Sequence, residues 1–236
     1  DRPEERPFYY NQAGFMVRLG QARVSAGRPG IQWEEARRIS LASNRPGDFP
    51  LQVLSVRETD ALYQTDTFAT PTSAMTALPS AQGHVFARLV NQRLEDSGIR
   101  EVYIYVHGYK VVFSNPILVA TELWHYIAYD GVFIAFAWPS TPRKTAYMSD
   151  LETAVLSAYN LRKLLEFIPE ETEVERIHIL GYSAGTRVVL NALSQLMFMH
   201  KDEGRAKISQ GFRLGRVILV GSDFDRQLFG ALLAEG

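Results

Sequence analysis

The stretch Ile177–Val189 has the sequence IHILGYSAGTRVV, which joins an apolar run, a G-x-S-x-G motif and a second apolar segment. A short apolar run that ends at glycine is typical of a buried strand, and apolar residues recurring every three or four positions after the motif predict a helix. The stretch therefore predicts a strand, a tight turn and a helix, with Ser183 in the turn. Ser183 is either a catalytic nucleophile or one residue of a glycine-rich turn without chemistry.

The composition is that of an ordinary globular domain. The chain has 236 residues, of which 46% are hydrophobic, and a formal net charge of −1. That charge gives no reason to expect nucleic acid or an anionic membrane surface as a partner, and no apolar stretch is long enough to span a bilayer. The sequence gives no indication of the oligomeric state.

Several kinds of site are disfavoured by the residue types present. The chain has no cysteine, which excludes disulfides, thiolate metal sites and a cysteine nucleophile. No cluster of histidines and carboxylates has metal-ligand spacing, and both the G-x-G-x-x-G and Walker A motifs are absent. We therefore expect no metal and no cofactor.

The chain has two parts with different patterns. Residues 1–80 begin with a polar, proline-containing arm and continue with short alternating runs between Gly/Pro turns, which predict peripheral strands. Within them, residues 33–41 fit either a short helix or a third strand, and residues 65–80 fit a loop. Residues 81–236 form the predicted core, and we expect both parts to belong to one structural domain. The first residue is Asp1, which would suit an exported protein whose signal peptide has been removed.

The core alternates strands with helices. Strands that are apolar on both faces are typical of a parallel sheet covered by helices, and the predicted strands are Val102–Val106, Val132–Ala137, Ile177–Leu180 and Val217–Val220. Ser114-Asn115-Pro116 has the pattern of a capping residue followed by Pro at a helix start, and Ser149-x-x-Glu152 has the pattern of a capping box. Repeated strand–helix–strand units predict a doubly wound α/β sheet.

The setting of Ser183 favours a nucleophile elbow, the strand–turn–helix that presents a catalytic serine. Chance places G-x-S-x-G in roughly one chain of this length in ten, so the motif is informative only through its surroundings. Gly181, Ala184 and Gly185 are the small residues that such a turn requires, and the helix N-terminus would place N–H groups beside the serine. A second segment, YIYVHGY at 103–109, predicts a strand followed by a close-approach loop of the type that completes an oxyanion hole. The alternative is a structural turn with His107 hydrogen-bonded locally.

Five ordered segments together resemble the α/β-hydrolase superfamily: VYIYVHGY, FIAFAWPS, YMSDLETA, IHILGYSAGTRVVLNAL and VILVGSDFD. They are similar to a bacterial family of largely uncharacterised α/β-hydrolases, and the resemblance covers about residues 100–230. It implies an α/β-hydrolase fold, with a mostly parallel, doubly wound sheet and helices on both faces.

The resemblance also implies roles for individual residues. Ser183 becomes the nucleophile, and the backbone N–H groups of Tyr109 and Ala184 become the oxyanion hole. His107 and Gly108 then belong to the oxyanion loop, and His107 is not the catalytic base. Asp223, which follows the strand RVILV, is a candidate acid, with a turn or cap aspartate as the alternative.

The catalytic histidine is the missing part of this pattern. In α/β-hydrolases the order along the chain is Ser, then Asp or Glu, then His, and the five histidines are His84, His107, His125, His178 and His200. None follows the strand Val217–Val220, and we interpret His178 as a core histidine. We therefore expect an incomplete hydrolase, whose last strands and histidine-bearing loop lie beyond Gly236.

Two functions follow from these patterns. The first is a serine hydrolase that cleaves small-molecule carboxylic esters through an acyl-enzyme on Ser183. The alternative is a non-catalytic α/β-hydrolase-like protein that binds a ligand or a partner and lacks the triad histidine.

Overall fold

The computed structural model describes residues 14, 16–27, 30–44, 50–63, 82–140, 147–227 and 229–230, with only the backbone at 33, 63 and 147–152. The predicted arm at residues 1–13 and the predicted loop at 65–80 lie outside these ranges.

The amino-terminal strands form a small sheet of their own. Strands β1 (Met16–Ala26) and β2 (Leu51–Tyr63) pair antiparallel, and both lie in the part of the chain where short alternating runs predicted strands. Between them lies helix α1 (Trp33–Leu41), so residues 33–41 form a helix and not a third strand. Its first turn carries Glu34 and Glu35, where acidic side chains interact favourably with the helix dipole.

The main sheet of the described residues has four parallel strands in the order β4-β3-β5-β6. The strands are β3 (Glu101–Val106), β4 (Val132–Phe136), β5 (Arg176–Tyr182) and β6 (Leu214–Val220). All four were predicted, and β6 begins earlier than expected because Leu214 already pairs with Ile177.

Helices connect the strands as the sequence predicts. They are α2 (His84–Ser97), α3 (Ser114–Tyr126), α4 (Tyr147–Glu171), α5 (Gly185–Met199) and α6 (Arg205–Gly211). From β3 the chain crosses to β4 on one side and then to β5 on the other. With right-handed crossovers, α3 therefore covers one face of the sheet, and α4 and α5 cover the opposite face. This arrangement confirms the predicted doubly wound sheet. In the described part of the chain no helix is long and apolar enough to cross a membrane.

Both predicted helix starts are wrong in position. Helix α3 begins at Ser114 with Phe113 as its N-cap residue, so both Ser114 and Asn115 are helical and neither is the cap. Pro116 nevertheless lies in the first turn, where a missing N–H leaves no helical hydrogen bond unmade. Helix α4 begins at Tyr147, so Ser149 lies within the helix.

The core lies between the sheet and helices α4 and α5. Alternate residues of β3 (Val102, Ile104 and Val106) are fully buried on this side, as the two-residue period of a strand requires. From the helices they meet aliphatic side chains that are equally buried: Leu161, Leu165, Val188, Val189 and Ala192. Burying each large aliphatic side chain contributes about 1.5–3 kcal/mol, so this layer fixes β3 beside β5.

The other face of the sheet carries an aromatic row. Tyr103 stacks on Phe133 with ring centroids 5.8 Å apart, and on His178 with centroids 5.0 Å apart. The row lines a groove of about 890 Å³ along α3 and the amino-terminal half of the sheet. Ser183 is not among the residues of this groove, so the groove and the serine turn are separate features.

Candidate active site

Ser183 lies in the turn between β5, which ends at Tyr182, and α5, which begins at Gly185. Its backbone has φ +50°, a left-handed conformation that costs a residue with a Cβ about 1–2 kcal/mol. Such strain persists only where the surroundings enforce it, and it is concentrated at functional sites. The strand, the tight turn and the helix thus have the form expected of a nucleophile elbow.

Gly185 shows why this turn needs small residues. A Cβ at this position would lie 2.3 Å from the carbonyl oxygen of Val106 and 2.4 Å from that of His107. No side chain fits at those distances, because real Cβ contacts are longer than 3.0 Å. The glycine therefore allows the start of α5 to pack directly on the end of β3.

Gly108 brings the loop after β3 to the serine. A Cβ on Gly108 would lie 3.0 Å from the Cβ of Ser183 and 3.3 Å from the carbonyl oxygen of Tyr182. Strands β3 and β5 are neighbours whose following helices lie on opposite faces. Their carboxyl ends therefore form the topological switch point, which is where open α/β sheets bind ligands.

His107 is enclosed in this loop. Its side chain is buried and stacks on Trp138 with centroids 5.3 Å apart. Nδ1 lies 2.6 Å from the carbonyl oxygen of Gly108, and since that oxygen only accepts, Nδ1 carries the proton. Burial lowers the pKa of His107 to about 4, so the ring is neutral at pH 7 and bound to the loop's own backbone.

The W-P-S segment at residues 138–140, which follows β4, holds the loop after β3 at both of its ends. The sequence did not reveal this role. The indole N–H of Trp138 donates to the carbonyl oxygen of His107 at 2.6 Å. At the other end, the fully buried Ser140 hydroxyl accepts from the N–H of Val111 and donates to its carbonyl oxygen, both at 3.2 Å. The only hint in the sequence was the position of these residues directly after a predicted strand.

The two residues predicted for the oxyanion hole lie on the two sides of the contact between the loop after β3 and the serine turn. Ala184 is buried and is the N-cap residue of α5, where N–H groups are not used by the helix itself. Tyr109 follows Gly108 and packs partly buried against the core. Their assignment as donors to an oxyanion stays a prediction.

Asp223 lies near the elbow and is engaged by Arg187. The carboxylate Oδ2 lies 3.2 Å from Nε of Arg187, in the first turn of α5. Asp225, in the same turn, accepts the N–H of Gln227 through Oδ1 at 2.9 Å, which is a local capping interaction. The role of Asp223 as catalytic acid stays a prediction.

The partners of the five histidines do not include Ser183. The prediction that His178 is a core histidine is wrong, because the residue lies on the groove side of the sheet, stacked on Tyr103 with its side chain 14% exposed. The partners are Glu171 for His84, Gly108 for His107, Ser40 and Tyr129 for His125, Glu101 and the N–H of Arg216 for His178, and Glu203 for His200.

A metal would need a cluster of ligating side chains. Within the ranges that the structure describes, no group of three or more histidine, aspartate or glutamate side chains is placed to hold an ion.

Comparison with known proteins gives one match. The comparisons with curated proteins and with solved structures found no significant similarity. A family model described as "Alpha/beta hydrolase of unknown function (DUF900)" matches residues 84–235, which begin with α2 and include the four strands of the main sheet. This match confirms the resemblance to the α/β-hydrolase superfamily, and the chain belongs to this α/β-hydrolase family of unknown function.

Proposed function

We propose that this protein is a serine hydrolase that cleaves carboxylic esters, with Ser183 as its nucleophile. The observation that carries the proposal is the backbone of Ser183, held at φ +50° between β5 and α5 with Gly108 against its side chain. An elbow of this kind exposes the serine oxygen at the carboxyl edge of the sheet.

The proposed reaction has two halves. The Ser183 oxygen attacks the ester carbonyl carbon while a general base takes the hydroxyl proton, and the alcohol leaves with a proton to give the acyl-enzyme. Water then attacks the acyl-enzyme, and the acid is released as Ser183 recovers its proton. During both halves negative charge develops on the carbonyl oxygen, which the N–H groups of Ala184 and Tyr109 would stabilise.

Labelling by a fluorophosphonate tests this proposal, because the reagent phosphonylates only an activated serine. We expect the full-length protein to gain one probe mass on the peptide that contains Ser183, and Ser183→Ala to remove both labelling and hydrolysis of p-nitrophenyl esters. Ser194→Ala is the matched control, since Ser194 lies on α5 with its hydroxyl donating to the carbonyl oxygen of Leu190 at 2.7 Å. Activity that survives Ser183→Ala would contradict the proposal.

A non-catalytic binding protein is the second candidate, and the partners of the histidines favour it. In the described arrangement each histidine contacts a group other than Ser183. This candidate predicts that no labelling occurs at Ser183 and that Ser183→Ala leaves ligand binding intact. Labelling at Ser183 would therefore decide between the two functions.

A further inference from the structure

We propose that Thr186 is a positioning residue for Ser183, because its hydroxyl ties the elbow to the turn that follows β6. The effect on reactivity rests on the proposed function of Ser183. The tie itself is a structural claim that can be tested separately.

The hydroxyl of Thr186 is fully used in a buried position. Thr186 has no exposed surface, and its Oγ1 donates to the carbonyl oxygen of Ser183 at 2.6 Å. The same oxygen accepts the N–H of Asp223 at 3.2 Å and the hydroxyl of Ser222 at 3.3 Å. One donor and two acceptor positions are all that a threonine hydroxyl offers.

Two further contacts join the same segments. The N–H of Ser183 donates to the carbonyl oxygen of Val220, at the end of β6, with a distance of 2.9 Å. On the next position of α5, Arg187 pairs with the carboxylate of Asp223 at 3.2 Å. The N–H and the carbonyl of Ser183 are therefore both fixed by groups that connect to residues 220–223.

This double attachment explains how Ser183 keeps an unfavourable backbone conformation. A left-handed φ persists in a residue with a Cβ only when the surroundings over-determine it. Without the Thr186 hydroxyl, the N–H of Asp223 loses its partner in a partly buried place, and the carbonyl of Ser183 keeps only the N–H of Thr186 at 3.0 Å. An unpaired polar group in such a place is costly. Fewer contacts then hold the backbone of Ser183 at φ +50°.

The arrangement also assigns a role to Asp223 that differs from that of a catalytic acid. Its N–H rests on Thr186 and its carboxylate on Arg187. Asp223 therefore acts on the elbow through these two residues, as part of the same tie.

The test compares Thr186→Val, which keeps the shape and removes the hydroxyl, with Thr186→Ser, which keeps the hydroxyl. Thr172→Val is the matched control, since Thr172 is also buried and its hydroxyl donates to the carbonyl oxygen of Ile168 at 2.5 Å, outside the elbow. The first measurement is the rate constant and the half-saturating concentration of fluorophosphonate labelling. The second is amide hydrogen exchange at Asp223.

We expect Thr186→Val to lower the labelling rate constant about 10-fold and to leave the half-saturating concentration unchanged. Amide exchange at Asp223 should become about 10-fold faster, because the loss of one hydrogen bond of this kind changes an equilibrium constant by roughly one order of magnitude. Thr186→Ser should restore both values, and Thr172→Val should change neither. If Thr186→Val does not fold, Thr186→Cys takes its place, because a thiol is only a weak donor and acceptor.

Wild-type exchange at Asp223 in the hydroxyl-free variant would overturn the tie. Wild-type labelling in that variant would overturn the positioning role. If the unaltered protein is not labelled at all, the proposed function fails, and the exchange measurement alone then decides the tie.

Discussion

The backbone of Gly108 lies against the side chain of Ser183, with only 3.0 Å between the Cβ of the serine and the place where a Cβ on Gly108 would be. The two residues are 75 positions apart in the chain, and they meet because β3 and β5 are parallel neighbours in register. This contact places the loop that follows one strand beside the serine that follows the other.

Substitution of Gly108 by alanine should slow the labelling of Ser183 strongly while it lowers the stability of the fold only slightly. The added methyl would press on Ser183 and on the carbonyl oxygen of Tyr182, so the loop must move away. A displacement of about 1 Å can lower a rate roughly 100-fold, and we expect labelling of Ser183 to slow 10- to 100-fold, with a loss of stability of about 1 kcal/mol. Gly211→Ala is the control, because a Cβ there meets no atom of another described segment within 4 Å. Unchanged labelling in Gly108→Ala would contradict the close approach.

Substitution of Gly185 by alanine should instead destabilise the fold. The methyl would lie 2.3 Å from a backbone oxygen of β3, and no side-chain rotation can relieve that contact. We expect a loss of about 3 kcal/mol in the free energy of unfolding, measured by urea denaturation. If Gly185→Ala is as stable as Gly108→Ala, the start of α5 can shift away from β3, and the prediction is wrong.

Removal of the Ser140 hydroxyl should be costly, whereas removal of another buried hydroxyl should not. Ser140→Ala leaves the N–H and carbonyl of Val111 without their partner, and we expect a loss of about 1–2 kcal/mol. Ser157 is equally buried, and among the residues that the structure describes its hydroxyl has no hydrogen-bond partner. Ser157→Ala should therefore be neutral or stabilising. Urea denaturation of both variants checks the contrast, and equal losses would contradict it.

Stability should fall in acid because of His107. Burial lowers the pKa of His107 to about 4, below its ordinary value of about 6.5. Between these two pH values the unfolded chain binds the proton and the folded chain does not. The contribution of neutral His107 to stability is therefore fully present above pH 6.5 and is lost as the pH falls through 4. The shift corresponds to about 3 kcal/mol.

Urea denaturation at several pH values gives the free energy of unfolding as a function of pH for the wild type and for His107→Asn. The difference between the slopes of these two curves measures the contribution of His107. His84→Gln is the control, since His84 is half exposed. Identical slopes for wild type and His107→Asn between pH 4 and 6.5 would contradict the buried neutral state.

Some features of the molecule were predictable because they follow from local pattern. The strands of the main sheet were predictable from their short apolar runs, and the buried Val102, Ile104 and Val106 confirm a strand packed on the core at β3. Gly98 has φ +68° and ends α2, which is the position where glycine commonly ends a helix. The helix starts were misplaced, because a serine caps a helix only where its own backbone is not yet helical, and Ser114 is already helical.

The candidate site was predictable only in part. The elbow is local, so the sequence placed Ser183, Ala184 and Gly185 correctly on a strand–turn–helix. The partner of Asp223 was not predictable, because Arg187 lies in another element and reaches it only when β6 is beside β5. The hydroxyl of Thr186 gave no signal either, since a threonine in a helix usually has no special role.

The sequence by itself determined the fold class and the turn that carries Ser183, because the periodicity of apolar residues and the size of glycine act over a few neighbouring positions. Only the tertiary structure decided what surrounds that turn: Gly108 against the serine, Trp138 and Ser140 on the loop, and Thr186 joined to the turn after β6. These contacts depend on the order and register of the strands, which are set by packing of the whole core and not by any single segment.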